Sequence, residues 1–181
     1  FSFAAWIKIY TNSPSAPVMA KLNHTQNYQG WDFGVDNRRP VIHLVNRWPE
    51  SGLKVIGKEE LKAKEWHHVV ITYDGSSKAA GVKIYLNGQL QENVIERDTL
   101  AGSIANPTQF RIGSRSDNNK FLGEVDELAI YDKTLSPGEV RAAAALLRGT
   151  QLVQERDLTP AQRQFLAAQY LVREDKTNAP P

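Results

Sequence analysis

The chain has no cysteine and one methionine in 181 residues. Without cysteine there are no disulfides, thiolate metal sites, cysteine nucleophiles or c-type haem attachments. No apolar run, the stretch around Val69 to Ile71 included, approaches the roughly 20 residues of a membrane-spanning helix. No signal peptide is visible. An excess of one charge is also lacking. The 22 basic residues are interspersed with 20 acidic ones for a net charge of +2, which leaves no basic arm for nucleic acid. A Gly-x-Ser-x-Gly elbow, a phosphate loop and a zinc-protease helix are missing too. A chain of this length buries roughly two thirds of its unfolded surface. That suffices for one β-sandwich domain with a tail and no covalent staple.

The sequence does contain punctuated β-structure. Phe1 to Tyr10 alternates as a strand, and the loop composition Asn12-Ser13-Pro14-Ser15-Ala16-Pro17 follows it. Short strands are expected at Val18–Leu22, Trp31–Asp36 and Val41–Val45. Trp66–Tyr73 is β-branched, aromatic and free of breakers, as a central strand should be. Val82–Leu86 alternates strictly. Asn87-Gly88 then supplies a tight hairpin turn, so Gln89–Val94 is expected to pair back. Gln109–Gly113 and Phe121–Tyr131 complete an antiparallel set. Short strands with a turn signal every ten residues or so indicate a sandwich, not a βαβ fold. The expected core includes Phe3, Trp6, Ile7, Trp66, Val70, Ile84, Leu86, Ile112, Val125, Leu128 and Ile130.

The pattern changes at Ser136. Ser136-Pro137-Gly138-Glu139 is a capping box with proline at the first helical position, predicting a helix over Ser136–Arg148. Thr159-Pro160-Ala161-Gln162 repeats that grammar and predicts a second helix to Arg173, with Phe165, Leu166, Ala168 and Leu171 on one face. The expected division is a sandwich over residues 1–135 and C-terminal helices with a connector tail over 136–181.

Four segments together resemble the laminin-G-like, concanavalin-A-like jelly-roll domains of bacterial proteins. They are Phe1 to Ile7, Glu65 to Gly75, Val82 to Gly88, and Phe121 to Tyr131 followed by Leu135-Ser136. The resemblance covers residues 1 to about 148 and implies two antiparallel sheets packed as a jelly roll. Pro40 to Pro49, leading to Leu53-Lys54-Val55, is similar to the version in large planctomycete proteins that carry cytochrome-type haem segments and domains of unknown function. The expectation that follows is an extracytoplasmic fragment of a larger secreted bacterial protein, with neighbouring parent domains as partners and no haem in this chain. Family members usually carry a further strand before the Phe-Ser-Phe strand, and it is missing here.

The resemblance also raises two chemistries. Some concanavalin-A-like glucanases set two carboxylates on one strand face, about 5 Å apart for retaining hydrolysis. The nearest segment is Glu124-Val125-Asp126-Glu127-Leu128-Ala129, where Leu128 and Ala129 stand in place of the second glutamate. Glycoside hydrolysis is therefore the remote alternative. Calcium on a jelly-roll edge would use Asp126, the matching position, with Glu124 or Glu127 and loop carbonyls, because Ca²⁺ takes six to eight oxygen ligands. The competing reading makes these acids solvated residues paired with Arg111 or Arg115.

Successive strand residues face opposite ways, so His67 and His68 cannot chelate as a pair. A polysaccharide or other glycan is held by flat aromatic faces with polar groups at the rim. Tyr28 and Trp48 lie in or beside loops that carry Asp32, Asn46, Arg47 and Lys54, and His43 alternates with Val41 and Val45. These seven are the candidate ligand-binding residues. Trp31, first in its strand, reads as core. The expected function is non-catalytic carbohydrate recognition, and the alternative is a structural or protein-interaction domain within the parent.

Overall fold

The computed structural model describes residues 1–116, 119–145 and 159–160. Its strands run in chain order as β1 (Ser2–Ile9), β2 (Ala16–Asn23), β3 (Gln29–Asp36), β4 (Arg39–Arg47) and β5 (Ser51–Gly57). They continue as β6 (His67–Tyr73), β7 (Val82–Leu86), β8 (Gln89–Leu90), β9 (Asn93–Asp98) and β10 (Arg111–Ile112). The last three are β11 (Ser114–Ser116), β12 (Asn119–Lys120) and β13 (Gly123–Tyr131), followed by helix α1 (Pro137–Ala145). A five-stranded sheet has the order β13-β1-β6-β7-β8, and a six-stranded sheet has the order β10-β2-β3-β4-β5-β9. β11 and β12 form a separate ribbon. Among the described residues the strand pairings are all antiparallel, so the expected all-β sandwich is what forms.

Alternation builds the core. Phe3, Ala5, Ile7 and Ile9 of β1 face inward with Val69 and Ile71 of β6 and Ile84 of β7. From the other sheet come Met19, Phe33, Ile42, Leu44, Leu53 and Val55. Phe3 stacks on Trp31 with ring centroids 4.5 Å apart, which places Trp31 against the core as expected. At the β7–β8 turn Asn87 and Gly88 have φ of 51° and 81°, the left-handed pair that a two-residue hairpin needs.

The structure corrects several expectations. Strand pairing back on β7 is limited to Gln89–Leu90, with one further backbone bond from Gln91 N to Ile84 O (2.8 Å). The chain then crosses over, and Asn93–Asp98 pairs with β5 in the opposite sheet. Trp6 is half-buried on the outer face of the five-stranded sheet, beside His68 with ring centroids 5.2 Å apart. Trp66 is half-buried with Lys8 Nζ 5.1 Å from its ring centre. Val70 is buried, but on that outer face with Ala4, Tyr85 and Val140. Ile112 and Ile130 are 59 % and 50 % exposed, because β10 and β13 are sheet edges. Val125 and Leu128 both pack on the core although three residues apart. A bulge opposite Ala5, with Glu127 at φ 48°, takes up the extra residue.

The capping box forms as read. Glu139 N donates to Ser136 Oγ (3.3 Å) and Ser136 N donates to Glu139 Oε2 (2.8 Å). The helix lies across the outer face of the five-stranded sheet through Val140, which is fully buried. It is the one helix assigned among the described residues. The expected second helix, apart from Thr159 and Pro160, lies outside them. Among the described residues no helix is long and apolar enough to cross a membrane.

Candidate functional site

Register places one residue from each strand of the six-stranded sheet in a transverse row. Arg111 pairs with Ala20, Ala20 with Asp32, Asp32 with His43, His43 with Lys54, and Lys54 with Arg97. Residues directly opposite one another share a face. Phe33, Ile42, Leu44 and Val55 fill the core from the alternate positions, so this row faces away from it. The sequence pattern is legible: Asp32, His43 and Lys54 each interrupt an apolar stretch in the middle of its strand.

Asp32 is the hub. Its side chain is 1 % exposed, and Oδ1 lies 2.8 Å from His43 Nδ1. Arg115 Nε donates to Oδ2 (2.8 Å), and Arg115 Nη2 lies 2.5 Å from the same oxygen. Burial alone would raise the Asp32 pKa, but the charges and hydrogen bonds of His43 and Arg115 hold it below the ordinary 3.8. Beyond His43, Lys54 Nζ sits 2.8 Å from both Asp36 Oδ2 and Glu96 Oε2. Partial burial opposes both charges there too, yet the Asp36 pKa is lowered by Lys54 and Ser15, and that of Lys54 is raised by Asp36 and Glu96.

Two cavities flank this row. One, of about 250 Å³, is walled by Tyr28, Trp48, His43 and Arg115 with Leu22 and Val45. The other, of about 270 Å³, lies toward Ser15, Gly34, Asp36, Lys54 and Asn119. Asp32, His43 and Arg115 border both. The aromatic wall comes from two hairpin tips. Asn27 and Tyr28 have φ of 56° and 57° at the β2–β3 turn, and Trp48 N donates to Asn27 O (2.8 Å), tying the tips together. The Trp48–Pro49 peptide is cis. Trp48 meets His43 edge-on at 5.8 Å and lies over Gly52, where an added Cβ would stand 3.5 Å from its ring. Arg97 caps it, with Cζ 5.6 Å from the ring centre.

Of the seven expected ligand-binding residues, Tyr28, Asp32, His43, Trp48 and Lys54 line these cavities. Asn46 instead donates to Ser103 O (2.7 Å), bracing the loop after β9. Arg47 is exposed and lines neither cavity. Sequence reading missed Arg115, Arg97, Asp36 and Asn119. Arg97 was recoverable had Asn93–Asp98 been read as an edge strand of this sheet. Arg115 comes from a three-residue strand with no local pattern to mark it.

The three acids proposed for calcium sit elsewhere, on β13. Glu124 pairs with Lys8 at 2.5 Å. Asp126 Oδ1 accepts from Glu127 N (3.0 Å) at the bulge. Among the described residues no group of three or more His, Cys, Asp or Glu side chains is placed to hold a metal ion. His67 Nε2 lies within 3.2 Å of the Lys62 backbone, an imidazole hydrogen-bonded at the edge of the core.

Residues 1–141 match the family Laminin_G_3, described as the Concanavalin A-like lectin/glucanases superfamily. Comparison with curated proteins gave no match. Among solved structures, the CBM40 module of the Ruminococcus gnavus IT-sialidase bound to alpha2,3 sialyllactose is similar at TM-score 0.64 and 16 % identity, covering 80 % of this chain and 82 % of that one. A heptameric SAP-like pentraxin from Limulus polyphemus is similar at TM-score 0.56 and 18 % identity, covering 80 % and 69 %. The binding domain of Paraclostridial Mosquitocidal Protein 1 is similar at TM-score 0.56 and 18 % identity, covering 79 % and 36 %.

Proposed function

The chain belongs to the concanavalin A-like lectin/glucanases superfamily, and from that premise we propose that it is a non-catalytic carbohydrate-recognition domain. Its binding face is the outer face of the six-stranded sheet. The observation that carries this reading is the pair of cavities meeting at Asp32, His43 and Arg115, with Tyr28 and Trp48 walling one of them. Aromatic surface beside fixed donors and acceptors is what a sugar ring with its hydroxyls requires. That a neighbour of the same fold is bound to sialyllactose agrees with it.

Turnover is less well supported. Two carboxylates, Asp32 and Asp36, line the cavities, and each is ion-paired. Neither is poised as a free acid or nucleophile. The test is a glycan array followed by calorimetry on the 181-residue chain. Trp48→Ala is expected to weaken any sugar bound by about tenfold or more with the fold retained by circular dichroism. Sugar release by the wild-type chain, or binding indifferent to Trp48, would overturn the reading.

The second reading, a docking domain within a multidomain parent, has its own observation. Phe110, Ile112, Leu122 and Ile130 are exposed along the β10 and β13 edges, and Ile130 shares an apolar cavity with Phe1, Phe3, Trp31 and Ile104. The recognition reading extends to a larger secreted bacterial parent, which fractionation of the native cells tests. Calcium is a separable proposal. With Lys8 holding Glu124, it rests on Asp126, Glu127 and backbone carbonyls. A melting temperature that falls on chelation supports it, and an unchanged one removes it.

A further inference from the structure

The two cavities differ in which hydrogen-bonding groups are left unspent. In the aromatic cavity the acidic group is Asp32, and both its oxygens are engaged by His43 and Arg115. The groups that remain there are donors. Arg115 has used Nε and Nη2 on one oxygen and keeps further N–H groups of the five a guanidinium carries. The Tyr28 hydroxyl, which donates as well as accepts, borders the same space. Next to them stands Arg97, its guanidinium over Trp48. Its neighbour in the row, Lys54, already occupies Asp36 and Glu96. Among the described residues Arg97 pairs with no carboxylate, and its buried Nε has no partner. The polar cavity shares Arg115 with the first, but its further cation, Lys54, is pinned between two carboxylates, and it adds a buried acceptor with no partner, Asn119 Oδ1.

Resting on the carbohydrate reading above, we propose that the ligand is an acidic glycan. Its anionic group, a ring carboxylate or a sulfate, sits at the Trp48 end against Arg97 and Arg115, and hydroxyls of the adjoining sugar run toward Asn119. An oxyanion supplies only acceptors, which is what a donor-rich site lacks, and charge-assisted bonds to guanidinium are the stronger kind. A neutral sugar would leave Arg97 with no counter-charge. Arg97 covers one face of Trp48, so it also meets whatever sugar ring packs beside that indole.

The experiment has two arms. An array carrying neutral, uronic, sialylated and sulfated glycans is probed with the full chain, and matched pairs such as lactose and sialyllactose are compared by calorimetry. Hits confined to acidic glycans, weakening as salt rises, are expected, and the carboxylate and sulfate members show which anion is preferred. Arg97→Ala should lose about ten- to a hundredfold in affinity for the acidic member at an unchanged melting temperature, with Arg97→Lys recovering part of it. Equal binding of neutral and acidic partners, or acidic binding untouched in Arg97→Ala, overturns the acidic preference while leaving sugar recognition standing. Silence across the array overturns both.

Discussion

Asp32 shows how a buried charge is kept ionised by its surroundings. Its carboxyl titrates below 3.8 because His43 and Arg115 outweigh the penalty of burial. A depressed folded pKa means this stabilisation is complete above 3.8 and lost as pH falls through the lower folded value. Asp32→Ala should cost about 2 kcal/mol in urea unfolding, toward the middle of the range for stranding polar groups, because Arg115 and His43 are partly exposed and can rehydrate. His68 acts in a different pH window. It is 4 % exposed, its Nδ1 has no partner, and burial lowers its pKa from 6.5 to about 4. The unfolded chain takes up this proton first, so stability is full above pH 6.5 and declines toward pH 4, by up to about 3 kcal/mol. Replacing it in His68→Phe should flatten that limb of a melting-temperature profile and leave the more acidic limb due to Asp32. A profile unchanged by the substitution would refute the assignment.

Elements were legible where alternation ran unbroken and a turn closed them. Val82–Leu86 with Asn87-Gly88 is such a case, and its register follows from the turn. The expected pairing of Gln89–Val94 fails at its end, because a hairpin signal fixes only the residues beside the turn. From Asn93 onward the strand pairs with residues more than 35 positions away, such as Val55 opposite Ile95, which no local pattern encodes. The bulge at Glu127 was likewise invisible, since it depends on the register between β1 and β13. Helix α1 is short, and its start is set by local chemistry. Ser136→Ala should therefore lower stability by about 1 kcal/mol. Gly88→Ala tests its seat on the sheet. A Cβ there would fall 3.1 Å from Ala144 Cβ at a φ of 81°, so both the turn and the helix contact should loosen, read out as faster amide exchange in α1.

For the whole molecule, the sandwich was readable from sequence and its sidedness was not. Periodicity says that two sets of residues point opposite ways. It does not say which sheet's outer face is covered by α1 and which stays open with Asp32, His43 and Lys54. That depends on strand order, and so does the arrival of Arg115 from the β11–β12 ribbon beside β2. The exposed edges bear on the alternative reading. Ile112→Lys and Ile130→Lys should each change the stability of the isolated chain by no more than about 0.5 kcal/mol. If this edge docks onto neighbouring domains, the same changes should release protease-sensitive linkers in the intact parent.

The row from Arg111 to Arg97 draws one side chain from each of six strands, and the backbone ladder beneath it is indifferent to what those side chains are. Asp32 apart, whose loss strands its partners, the teeth of this comb can be exchanged singly, like keys cut on a common blank, while the apolar residues on the reverse side keep the strands in place. A lineage could thus drift from one ligand to another by point changes at positions 20, 43, 54 or 97, and its relatives would share a shape long after they had ceased to share a target.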